Sequence, residues 1–116
     1  MRFSALVLVL FVTPGFALTP EAMEFLEISK KLEPVQCEKR KLRRAIVMAE
    51  VEKRDADARK LKKKFSILDR NPESAKLEKR LGELERRILD AKGNARDPED
   101  LQAISFQQRE AFYRCD

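Results

Sequence analysis

From Pro34 to Arg70 the sequence contains no glycine, and its only proline is the first residue. Within that stretch Glu38 to Arg70 carries 13 basic and 6 acidic side chains. A continuous α-helix is the simplest conformation for such a segment, and it would run roughly 55 Å at about 1.5 Å per residue. Plotted at the helical angle, its apolar positions separate into two lines. Val35, Leu42, Ala45, Ile46, Ala49 and Ala56 form the first, and Val47, Val51, Ala58, Leu61 and Phe65 form the second, more than a quarter-turn around. A helix with one neighbour needs a single apolar stripe. Two stripes predict two neighbours, or one neighbour and a partner from outside the chain.

The flanking segments read as shorter helices. Thr19-Pro20-Glu21 is a start signal: a capping hydroxyl, a proline at the first helical position and an acid near the positive end of the helix. Pro34 either ends this helix or kinks it. If the chain reverses there, a short first helix of about 20 Å lies over Val47 and Val51; otherwise the helix continues. Asn71-Pro72-Glu73 restarts the chain, and so tight a connection predicts antiparallel neighbours. Beyond it Leu77, Leu81, Leu84, Ile88 and Ala91 repeat in steps of four and three, a coiled-coil-like seam. Gly82 is read as tolerated there at about 1 kcal/mol relative to alanine. Lys92-Gly93-Asn94 stops the helix, and Asp97-Pro98-Glu99-Asp100 starts the last one. That last helix puts Leu101, Ile104, Ala111, Phe112 and Cys115 on one face, and Phe106 and Tyr113 together on another. The expected helices span about 20–33, 34–70, 72–92 and 98–115.

Residues 1–17 have the order of a secretory signal peptide: one basic residue, Arg2, an apolar run from Phe3 to Val12, and small residues Gly15 and Ala17 before a cut. The run is half the ~20 residues a membrane-spanning helix needs. Residues 18–116 then form a single helical domain, exported to a periplasm or the extracellular space. Only Arg2 of the 25 basic residues leaves with the leader, so the mature chain keeps 24 against 20 acids, a net charge of +4. Most of the basic excess lies in the long central segment, at +7; Leu18–Cys37 is −2 and Asn71–Asp116 is −1.

Two cysteines in an exported chain predict one disulfide, Cys37–Cys115. For it to close within the chain, the outgoing rod must be matched in length by the third and fourth helices returning together, since Cα atoms beyond about 7 Å cannot be bridged. The expected architecture is therefore all-α: a long antiparallel, coiled-coil-like helical hairpin with a short extra N-terminal helix and an interrupted return arm, stapled by that disulfide. An intermolecular link remains open at this point, because Cys37 sits off the first stripe. The central section, Val51 to Lys60, offers only Val51, Ala56 and Ala58 to packing.

No histidine is present, which removes the commonest general base and metal ligand, and with it the thiolate–imidazole and Ser-His-Asp arrangements. Both thiols are committed to the disulfide, so no Cys/His zinc site can be built. No glycine-rich phosphate loop occurs either. The reading is a non-enzymatic protein with no cofactor and no metal. Its candidate surfaces are two. The apolar one is Val51, Ala58, Leu61 and Phe65, suited to a protein partner or a second copy of the chain. The basic one comprises Lys39, Arg40, Arg43 and Arg44 with Lys60, Lys62, Lys63 and Lys64, two runs about 30 Å apart on one rod, suited to anionic lipid or polysaccharide. Nucleic acid is disfavoured, because the runs contain no aromatic to stack on a base.

No motif ties these residues to a family; in general character, basic and built of helical arms, the chain is similar to periplasmic holdase chaperones. The function expected from the residues is an exported protein-interaction module of adaptor, chaperone-like or inhibitor type. The alternative is an envelope-binding protein.

Overall fold

The computed structural model describes residues 17–115; the signal-peptide reading falls on residues 1–16, outside them, except for Ala17. Four helices account for most of the described chain: α1 Pro20–Val51, α2 Asp55–Asp69, α3 Pro72–Ile88 and α4 Pro98–Arg114. The all-α reading, the long antiparallel hairpin with an interrupted return arm, and the Cys37–Cys115 disulfide all hold. How the helices are divided and connected differs in four places.

α1 begins where the start signal predicts, with the Thr19 hydroxyl accepting the Ala22 N–H at 3.2 Å. It then runs 32 residues through Pro34, so the continuing alternative holds and no separate short helix exists. An interior proline costs about 3 kcal/mol through its missing N–H and ring clash. Packing on both sides carries the helix across: Leu32 is buried just below, and Cys37 is tied by its disulfide one turn above.

The predicted rod 34–70 is broken instead at Glu52–Arg54. Lys53 adopts a left-handed conformation, φ +58°. The Lys53 N–H donates to the Glu50 carbonyl at 3.1 Å and the Arg54 N–H to the Ala49 carbonyl at 2.8 Å. This is a Schellman ending with lysine in the position glycine usually fills. α2 then starts with Asp55 and Asp57 in its first turn and returns antiparallel along α1. Lys62 meets Glu50 near the tip and Lys39 meets Asp69 lower down. The reversal explains the two apolar lines: much of the second faces the first. Leu42, Ala49 and Ala58 are buried between the helices, with Ala45, Ile46, Leu61 and Phe65 half-buried. A straight rod would have left both lines needing other cover. The small Ala49 and Ala58 let the backbones approach near the turn.

α3 is capped by Asn71, whose side-chain oxygen accepts the Glu73 and Ser74 N–H groups at 3.0 and 3.1 Å. The tight connection does not reverse the chain, contrary to expectation. α3 continues in the sense of α2, antiparallel to α1, placing Glu78 beside Lys39 and Arg80 on Glu24. Its seam of Leu77, Leu81, Leu84 and Ile88 packs on Phe25, Ile28 and Leu32. Gly82 is tolerated rather than required, since a Cβ there would meet only the Arg86 side chain, at 3.9 Å. The helix ends at Ile88, four residues early, leaving Ala91 exposed. A polar turn takes over: the Asp90 N–H donates to the Asn94 carbonyl at 2.7 Å, and Asp90 Oδ1 accepts the Lys92 and Asn94 N–H groups. Gly93, at φ +84°, supplies the left-handed residue this turn needs.

That turn reverses the chain, so α4 runs parallel to α1, where continuation of the return arm, antiparallel to the long helix, was expected. Three ties show the direction. Asp100 accepts from Thr19, Gln107 donates to the Leu26 carbonyl, and Arg114 pairs with Glu33. Each joins residues 81 apart, and they recur every seven residues along both helices. Cys37 and Cys115 meet with Cα atoms 5.4 Å apart. The length-match argument for the pairing therefore fails while the pairing itself stands. Because α1 starts at Pro20, Cys37 lies midway along it, level with the end of α4. The main core, Phe25, Ile28, Leu32, Leu84, Ile88 and Ile104, sits where α1, α3 and α4 meet. Beyond Arg40, α2 is the one helical neighbour of α1 among the described residues.

Candidate interaction face

The apolar candidates do not form one exposed surface. Ala58 is 4 % exposed against α1, and Leu61 and Phe65 turn inward beside it. Only Val51, 71 % exposed, remains available. The sequence reading placed all four on one helix and could not see that the chain folds between Val51 and Ala58.

The basic candidates divide in the same way. Folding α2 back brings the run 60–64 alongside α1 instead of about 30 Å farther along a rod. Lys39 is buried, its Nζ 2.8 Å from Asp69 and 3.6 Å from Glu78, so it clamps three helices and offers nothing to an outside anion. The Lys39 ammonium and the Arg43 guanidinium both lie over the Phe65 ring, 5.6 and 5.4 Å from its centre, a cation–π arrangement. Lys62 pairs with Glu50 at 2.8 Å. Arg40 covers the Phe112 ring at 5.1 Å, and Arg44 is exposed one turn above it. Lys60, Lys63 and Lys64 are exposed on α2, outside the ion pairs described.

Electrostatics around the helix ties is that of stable carboxylates. The hydrogen bond from Arg80 holds the Glu24 carboxyl below its ordinary value; Arg114 does the same to Glu33, and Lys39 to Asp69. A cleft of about 280 Å³ lies between α1 and α4 beside the disulfide, closed on one side by Leu81 of α3, with Phe25, Ser29, Gln36 and Gln108 among its walls. Glu33 is the acid lining it, and its partner Arg114 keeps it charged. The described residues contain no group of three or more potential metal ligands, and no helix among them is long and apolar enough to cross a membrane.

The face that the residues do assemble is the side of α1 opposite α2. Below, Leu26, Glu33 and Cys37 on this side meet α4. Above, the same side continues in steps of three and four as Arg40, which lies over the Phe112 ring of α4, then Arg44, Val47 and Val51, with Met48 adjacent; among the described residues no helix covers the stretch beyond Arg40. No protein-family model matches the chain, and neither a curated protein nor a solved structure is found similar to it.

The interaction face therefore has to be judged on its own chemistry. Val47, Met48 and Val51 are each more than half exposed. At the lower end Phe112 and Tyr113 stand edge to face, ring centres 5.7 Å apart, both exposed, with Arg40 over the Phe112 ring. The result is a strip that is apolar near the α1–α2 turn and cationic and aromatic near the disulfide. Val47 and Val51 were legible as a stripe from the sequence. Their exposure depends on where α4 stops, which only the fold reveals.

Proposed function

We propose that the chain is an exported, non-enzymatic protein-interaction module, and that it docks a helical segment of a partner on the bare side of α1 between Arg40 and Val51. The carrying observation is the exposure of Val47, Met48 and Val51 in one row directly beyond the end of α4. Exposed apolar side chains in a contiguous row, bordered by cations, have the make-up of a docking surface. The disulfide fits an oxidising compartment, and the leader-like residues 1–17 point to export by cleavage after Ala17. A stapled three-helix base would hold the strip as a rigid platform, in keeping with an adaptor, chaperone-like or inhibitor role.

The test is a photo-crosslinking residue at Val51 in the exported protein, with Lys63 as the control position. A discrete covalent adduct from Val51 and none from Lys63 is the expected result. Equal labelling from both positions, or none from either, overturns the reading. The second reading, binding to anionic lipid or polysaccharide, is favoured by the exposed Lys60, Lys63 and Lys64 on α2. It requires retention on anionic vesicles or polysaccharide that collapses between low and physiological salt. Contact through the apolar row would resist salt.

A further inference from the structure

Resting on that docking face, we infer that its occupant is the outer stripe of α4 from a second copy of the chain, packed antiparallel so that two copies close a symmetric dimer. The strip and its complement have matching lengths. α1 extends about 20 Å beyond Cys37, and α4, at 17 residues, is about 25 Å long. α4 also has an unused face. Its inner side is taken by the ties to α1, while Glu99, Phe106, Glu110 and Tyr113 are exposed along one flank, with the half-buried Ala103 among them, in steps of four and three. Phe106 and Tyr113 are 60 % and 68 % exposed.

Set against the strip in the opposite direction, the two rows agree to within one residue. Val51 comes level with Ala103, Val47 with Phe106, and Arg40 with Tyr113. Apolar meets apolar near the turn; cation meets aromatic ring near the disulfide. Closure follows from the fold. In each copy α4 and the bare strip lie end to end on one side of α1, so inverting the second copy places each α4 on the other's strip. The same contact is made twice, as an isologous two-fold interface requires. The α4 ends then meet beside the axis, at the level of Gln36.

The register gives a test that folding alone cannot mimic. Through the 81-residue offset of the α1–α4 ties, Phe106 stands level with Phe25, about 30 Å from Val47 in the same chain. A Val47→Cys/Phe106→Cys double variant can therefore form that link only between copies, and the native cysteines are already paired. The expected result is a covalent dimer on mild oxidation, with none from a Lys63→Cys/Phe106→Cys control. Light scattering should give twice the chain mass for the parent protein. Val47→Glu should raise the dimer dissociation constant on the order of tenfold or more with its helical circular dichroism unchanged. A parent monomeric at every concentration reached, or a dimer that the cysteine pair fails to link, overturns the inference. If that monomer still crosslinks a different protein from Val51, the docking face survives and only its occupant was wrong. If Val51 crosslinks nothing, both fall.

Discussion

Asp100 is 2 % exposed and receives two hydrogen bonds from one residue, the Thr19 N–H at 3.1 Å and the Thr19 hydroxyl at 2.6 Å. It joins the first turn of α4 to the residue that caps α1. Replacing it by asparagine leaves one acceptor oxygen and puts an NH₂ where an acceptor stood. Asp100→Asn should cost about 1–3 kcal/mol in urea unfolding, more than the same change at exposed Asp55. The ion pairs act through pH. Glu24, Glu33 and Asp69 all have carboxyls held below their ordinary values by a cationic donor. A depressed folded-state value gives stability that is present above the unfolded-state value and lost as pH falls through the folded one. The melting temperature should therefore stay level from neutrality to about pH 5 and fall below about pH 4. A melting temperature that instead fell on raising the pH from 5 to 7 would contradict this. Local chemistry of this scale was partly legible in advance: Thr19, Asn71 and Asp97 all cap the helices their sequence neighbours announce. Asp100 was read as one more acid in a helix start, because its partner lies 81 residues away.

The break after Val51 was hidden for a definite reason. Helix ends are read from glycine, asparagine and proline, and Glu52-Lys53-Arg54 contains none of them. Lys53 takes the left-handed conformation because the reversal brings Leu42, Ala45 and Ala49 against Ala58, Leu61 and Phe65, and that burial outweighs roughly 1 kcal/mol of local strain. Lys53→Gly should accordingly stabilise the protein by about 1 kcal/mol. In a continuous rod the same change would cost about 1 kcal/mol, so the sign of the shift in urea midpoint decides between the two. Pro34 teaches the converse. A strong breaker was overridden because both flanking turns are anchored, at Leu32 and at Cys37.

For the molecule as a whole, counting cysteines gave the right pair, yet the path between them was not legible. Directions of α3 and α4 depend on turns whose geometry rests on backbone bonds around Asp90 and on packing against α1, neither of which periodicity encodes. The disulfide closes a sequence separation of 78 residues, so removing it should cost about 4.5 kcal/mol by the chain-entropy argument. A Cys37→Ser/Cys115→Ser variant measured by denaturant unfolding tests this, and a loss under 1 kcal/mol would show that the ties at Thr19, Leu26 and Glu33 suffice alone. One further consequence follows from the position of that bond. It anchors the three-helix end, whereas α2 is held to α1 by two buried alanines, a leucine and a few half-covered side chains. Backbone amides in 58–68 should then trade hydrogen for deuterium well before those in 25–32 and 84–88. The arm would breathe while its root stays shut, giving one small protein two separate clocks.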